Sequence, residues 1–199
     1  MQKPDPGAAL NALAKSVPDD GTGKKLPPVH LWDPPFCGDL DIRIGRDGLW
    51  YYLGTPIGRE RLVRLFSTVL KLEDEKYFLV TPVEKIGITV EDVPFIGVQM
   101  EVEDEGQQQR LIFKTNVGDE AVAGPAHQFV FRPGAEVGEV TPYIHIRAGL
   151  EARIRRPVFY EMVDLAVDHE VDGQSFFGLW SDGEFFPIVP SGLLAEFRE

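Results

Sequence analysis

Cysteine is almost missing from this chain: Cys37 is the only one in 199 residues. A single thiol excludes an internal disulfide framework and suits a reducing compartment. Long apolar runs are missing as well, and none approaches the roughly 18–20 residues that a membrane helix needs. The opening residues Met1, Gln2, Lys3, Pro4, Asp5 and Pro6 hold no apolar core, so no secretory signal is expected. These absences predict a cytoplasmic protein with no membrane insertion. Histidine is scarce too. His30, His127, His145 and His169 stand apart, with no ligand spacing among them or to Cys37. There is no Gly-x-Ser-x-Gly elbow, and Cys37 lies beside Pro35, Phe36 and Gly38, which reads as a buried, inert thiol. The stretch 54–59 opens like a phosphate loop but lacks its lysine. No catalytic residue, metal ligand or cofactor is expected.

Negative charge is what the chain has in excess. Asp and Glu number 32 against 20 Lys and Arg, for a formal charge of −12. Such a surface repels phosphate backbones and anionic lipid, which removes nucleic acid from the default partners. The 43% hydrophobic content is that of an ordinary globular protein, long enough for one large domain or two small ones.

Residues 1–28 read as a flexible tail punctuated by proline and glycine, with a short helix over 8–17. Two related units are expected after it, a first over 29–92 and a second over 93–199. In the first, Asp41, Ile42, Arg43 and Ile44 alternate as a strand, and Asp47-Gly48 turns the chain into a return strand over 49–53. Thr55 and Pro56 then read as the cap and first residue of a helix over 57–72 that buries Leu62, Leu65, Phe66, Val69 and Leu70. Strands follow near 77–81 and 86–90. From 92 to 142 the chain reads as all β. The opening pattern then recurs about 100 residues on: Ile144 and Ile146 stand for Ile42 and Ile44, Gly149-Leu150 for Gly48-Leu49, and Pro157 for Pro56. The fold class is therefore α+β, built as a hairpin-helix-hairpin repeat.

The run from Asp47 through Leu49-Trp50-Tyr51-Tyr52-Leu53 to Pro56, with Tyr77-Phe78-Leu79-Val80-Thr81-Pro82 and Val90-Glu91-Asp92-Val93-Pro94-Phe95, resembles bacterial proteins grouped as domain of unknown function 1285. So does Pro142-Tyr143-Ile144-His145-Ile146-Arg147 with Arg156-Pro157-Val158-Phe159-Tyr160. The resemblance implies a duplicated core of two α+β domains, the second loosely like a pleckstrin-homology fold and mostly antiparallel. It also implies a role in signal transduction with a ligand site between the domains. It brings no catalytic residues.

Period two places Tyr143, His145, Arg147, Arg153 and Arg155 on the polar face of the second hairpin, opposite Ile144, Ile146, Leu150, Ala152 and Ile154. By the same reading Asp41, Arg43, Trp50 and Tyr52 share the matching face of the first. A basic ladder beside flat rings on an acidic chain suits an anionic or nucleotide-like small ligand. The leading reading is a non-enzymatic ligand-binding or signalling module whose site lies between the units, with Arg43, Trp50, Tyr52, Tyr143, His145, Arg147, Arg153 and Arg155 as candidate binding residues. The alternatives are a protein-interaction adaptor that uses Trp32 and Trp180 on a protein partner, and an enzyme whose site carries no familiar motif. Arginines on such a face also pair readily with the many carboxylates of this chain.

Overall fold

Alternating apolar residues make strand β1, Phe36–Ile44, whose last turn of pleat buries Ile42 and Ile44. The structure, a computed structural model, describes residues 15, 26–104, 106–134 and 140–195. The helix expected over 8–17 falls outside them, Lys15 apart. A 3-10 turn, Val29–Leu31, precedes β1.

The chain divides into two compact units, Met1–Pro94 and Phe95–Glu199. In the first, β1 pairs antiparallel with β2, Trp50–Tyr52, which pairs with β3, Thr55–Pro56. Helix α1, Glu60–Thr68, leads into an antiparallel meander of β4, Leu70–Glu73, β5, Lys76–Val80, and β6, Lys85–Val90. β6 lies parallel to β1 and closes a six-stranded sheet in the order β3-β2-β1-β6-β5-β4. Phe66 projects from α1 and is fully buried, its ring 6.3 Å from that of Trp50.

Two expectations are corrected here. Pro56 does not open a helix. It occupies an edge strand, where its missing N–H faces no neighbour, and α1 begins at Glu60 after Arg59. The helix also ends at Thr68, and Leu70 to Leu72, read as its last turn, alternate as β4 instead. Pro157 does open its helix, so the two prolines are not equivalent.

The second unit begins with β7, Phe95–Glu103, which pairs with β8, Arg110–Thr115, and that with β9, Glu120–Val122. Next come β10, Phe129–Pro133, β11, Val140–Arg147, and β12, Leu150–Ile154, in antiparallel sequence. β12 lies parallel to β7, giving a second six-stranded sheet, β10-β11-β12-β7-β8-β9. Helix α2, Arg156–Asp164, follows, then an antiparallel meander of β13, Val167–Val171, β14, Gln174–Ser181, and β15, Glu184–Pro190, and helix α3, Ser191–Ala195. Asp172-Gly173 and Asp182-Gly183 both hold positive φ, the geometry that tight hairpin turns require.

The protein is thus mostly β in two units, and the order hairpin, helix, three-stranded meander occurs in each. The sheets close differently. In the first unit the meander joins the hairpin's sheet. In the second it forms its own, and β7 takes the place beside the hairpin. The second core is aromatic: Phe129 meets Phe113 and Phe186 edge-on, with centroids at 5.4 and 5.0 Å. Ser181 ties the meander to the larger sheet. Its hydroxyl donates to the carbonyl of Ala123 at 2.7 Å and accepts from the Leu111 N–H at 3.0 Å. Among the described residues no helix is long and apolar enough to cross a membrane.

Candidate functional site

The first hairpin arranges its side chains otherwise than the alternation suggests. Ile44 stands opposite Trp50, Arg43 opposite Tyr51, and Ile42 opposite Tyr52. Residues opposed across antiparallel strands share a face, so Trp50 and Tyr52 belong with the isoleucines, and Tyr51 with Arg43. Trp50 is 1% exposed and its Nε1 is buried with no hydrogen-bond partner. Arg43 lies over the Tyr51 ring at 4.1 Å and pairs with Glu91. Glu91 also accepts the Arg46 N–H at 2.9 Å. That bond, ahead of the pull of Arg43, holds its carboxyl below the ordinary range. Asp47 accepts the Leu49 N–H and the Tyr51 hydroxyl, both at 2.9 Å. These groups hold a turn together.

In the second hairpin the buried face is as expected: Ile144, Ile146, Leu150, Ala152 and Ile154 are all buried. The polar face divides into two parts. Tyr143 is itself buried, with the Arg132 guanidinium 4.2 Å from its ring centre and Arg132 bonded to Glu151 at 2.6 Å. His145 sets its Nδ1 3.1 Å from the Ala126 carbonyl, and its Nε2 accepts the Gly149 N–H at 3.2 Å. Arg147 pairs with Asp119, the two side chains 18% and 19% exposed, and lies 4.9 Å from the Phe95 ring. These three are engaged within the fold.

Arg153 and Arg155 are placed differently. Both line a cavity of about 570 Å³ in the second unit. Its floor is apolar, from Val140, Pro142 and Ile154, with the side chain of Thr141 beside them. Its other wall is the start of α2: Arg156, Phe159 and Tyr160. Arg155 is the residue before the helix and makes no side-chain cap to it, so the positive end of the helix dipole adds to the three guanidiniums. The Arg155 side chain has no ion pair or hydrogen bond among the described residues. Among the described residues that line the cavity there is no carboxylate.

Alternation along β12 pointed to Arg153 and Arg155 but not to Arg156, Phe159 or Tyr160. The available signal was Arg153-Ile154-Arg155-Arg156-Pro157, basic residues set directly ahead of a proline-started helix. Two further expectations are corrected. Cys37 is exposed, since it lies near the open start of β1. Trp180 is half-buried between His169 and Phe185, at 4.9 and 5.4 Å, and Trp32 is half-buried as well.

Fold and site together define a mostly β, two-unit protein with an arginine-lined cavity in its second unit. The chain belongs to the DUF1285 family. Residues 27–93 match the family's "Domain of unknown function (DUF1285), N-terminal domain", and residues 94–188 its "Protein of unknown function (DUF1285), C-terminal domain". A DUF1285 family protein from Silicibacter pomeroyi DSS-3, solved by crystallography, is 49% identical over 94% of this chain and 97% of that one, with a TM-score of 0.84. A second, from Shewanella baltica OS155, is 28% identical over 62% of this chain and 90% of that one, with a TM-score of 0.49. No curated protein matches.

Proposed function

We propose that this protein is a non-enzymatic ligand-binding module of a signalling or regulatory kind, and that its second unit holds an anionic small molecule against Arg153, Arg155 and Arg156. One observation carries the reading. A chain of net charge −12 gathers Arg153, Arg155 and Arg156 among the described residues that line one cavity. Charge-assisted bonds from guanidinium to an anion are strong for their size, and the planar fork suits phosphate and carboxylate groups. The volume of about 570 Å³ falls in the range of small-molecule sites. The pleckstrin-homology-like character of the second unit belongs to the same proposal, supported by two sheets followed by a terminal helix.

The test is calorimetric titration with inorganic phosphate, pyrophosphate and dicarboxylates, on the parent protein and on Arg155→Ala. A bound anion raises thermal stability by mass action. Removing one guanidinium contact is expected to weaken binding by about 1.5–3 kcal/mol, and Arg155→Lys to lose part of that because the fork is gone. Unchanged affinity in a folded Arg155→Ala variant, or no binding by the parent, overturns the proposal.

A further inference from the structure

We infer that His145 is a proton-operated latch on the turn between β11 and β12: its neutral ring holds the turn, and a proton on Nε2 releases it. The ring bridges two backbone groups that leave it no choice of role. The Ala126 carbonyl can only accept, so Nδ1, 3.1 Å away, carries the ring's proton. The Gly149 N–H can only donate, so Nε2, 3.2 Å away, is bare. The ring is therefore the neutral imidazole in one tautomer. The cation has an N–H at both positions and accepts nothing. Two N–H groups would then face each other across 3.2 Å, and the ring must leave Gly149.

The turn that this bond holds is strained. Ala148 and Gly149 have φ of 46° and 77°, and Ala148 takes the left-handed conformation with a Cβ in place. The strand register also slips between His145 and Arg147, just ahead of the turn. Both turn residues are exposed, so packing adds little to the hydrogen bonds there. His127 sits beside the latch, its ring stacked on that of His145 at 6.0 Å between centres. Its Nδ1 donates to the His145 carbonyl at 3.0 Å, a bond that both charge states of His127 can make. The proton that matters is thus the one on His145. The charged groups around the two rings, among the described residues, come from four elements. Glu151 of β12 stands opposite His145, and so on the same face, and is bonded to Arg132 of β10 at 2.6 Å. Arg153 lies one pair further, opposite Tyr143. Arg147, next along β11, pairs with Asp119. Glu184 of β15 is bonded to the Gln128 amide, beside His127, at 2.9 Å. Glu151 is the carboxylate to which a charged His145 ring turns.

The experiment is a nuclear magnetic resonance titration of the full chain from about pH 8 to about pH 5, the range in which histidine changes charge. At the upper end the ring nitrogen shifts are expected to show His145 with its proton on Nδ1. As acid is added, the Gly149 amide shift should follow the His145 ring. Protection of that amide against hydrogen exchange should fall roughly 2- to 12-fold, the size of one hydrogen bond. Circular dichroism should be the same at both ends, because the change is confined to the turn. His145→Gln keeps an acceptor where Nε2 stands and gains no proton in this range, so its Gly149 amide should stay protected throughout. Any of four results overturns the inference: a proton on Nε2 at pH 8, a His145 ring that does not titrate in the range, a Gly149 amide indifferent to the ring's charge, or loss of the whole fold by pH 5. The anion-binding reading of the cavity is independent of all four.

Discussion

Phe66 is fully buried beneath the first sheet, against Trp50 at 6.3 Å between ring centres. Truncating it removes a whole ring from a site lined by strands on one side and its own helix on the other. A cavity results that the sheet cannot close. Phe66→Ala is expected to cost about 3–5 kcal/mol in urea unfolding, and a loss under about 1 kcal/mol would show that the site collapses around the gap. Its neighbour shows how far single residues were legible. The sequence placed Trp50 on the polar face because it alternates with Tyr52. The face depends on parity across the turn, and the turn sets Ile44 against Trp50. Strand alternation gives two sets of residues; only the loop length says which set joins which. In the second hairpin the buried set was legible directly, because Ile144, Ile146, Ala152 and Ile154 leave no choice. The same alternation put Arg153 and Arg155 off the buried face.

At the scale of elements, Thr55-Pro56 met every local requirement for a helix start, and became an edge strand. The Ile57 N–H donates to the Trp50 carbonyl at 2.7 Å, continuing the pairing past the proline. Local propensity could not anticipate that pairing, which needs β2 in place. The cavity was out of reach for a similar reason, since it needs the start of β11 and the first turn of α2 side by side. The β14–β15 turn was legible because Asp182-Gly183 carries its own geometry. Further along the same pair, the register slips between Phe177 and Gly178. A Cβ at Gly178 would lie 2.4 Å from the Phe186 carbonyl oxygen and 3.0 Å from the Pro187 Cα, both backbone atoms that cannot rotate away. Gly178→Ala is therefore expected to destabilise by about 1–3 kcal/mol, the cost of overpacking, read from the midpoint of chemical denaturation. A variant as stable as the parent would mean that β15 moves aside freely.

For the whole molecule, pH is the variable that sums these contacts. In the first unit the Lys71 ammonium, then that of Lys85, holds the Glu73 carboxyl low, at 2.6 and 2.9 Å. The Leu49 N–H does the same for Asp47, and the Arg46 N–H for Glu91. A carboxyl depressed in the folded state binds fewer protons there than when unfolded. Its contribution is complete above the unfolded value, about 4, and is lost as pH falls through the folded one. Stability is expected to be level from about pH 6 to 8 and to decline below about 4.5. Relief of the −12 self-repulsion acts the other way as acid is added, so a comparison isolates the pair contribution. Glu73→Gln should be less stable than the parent at pH 7 and show a shallower decline in acid, measured by urea midpoints across the range. Parallel curves would remove Glu73 from the account.

Ser181 has a consequence for the order in which the second unit can form during synthesis. The groups it joins, the Leu111 N–H and the Ala123 carbonyl, precede it by 70 and 58 residues. Until Ser181 leaves the ribosome, both stay hydrogen-bonded to water, and the nascent β7–β12 sheet has a ragged, unsealed margin. Contacts this remote in the chain form late and slowly. The second unit can then close only once Ser181 has been made, while the residues of the first unit, Met1–Pro94, have all been made some time before.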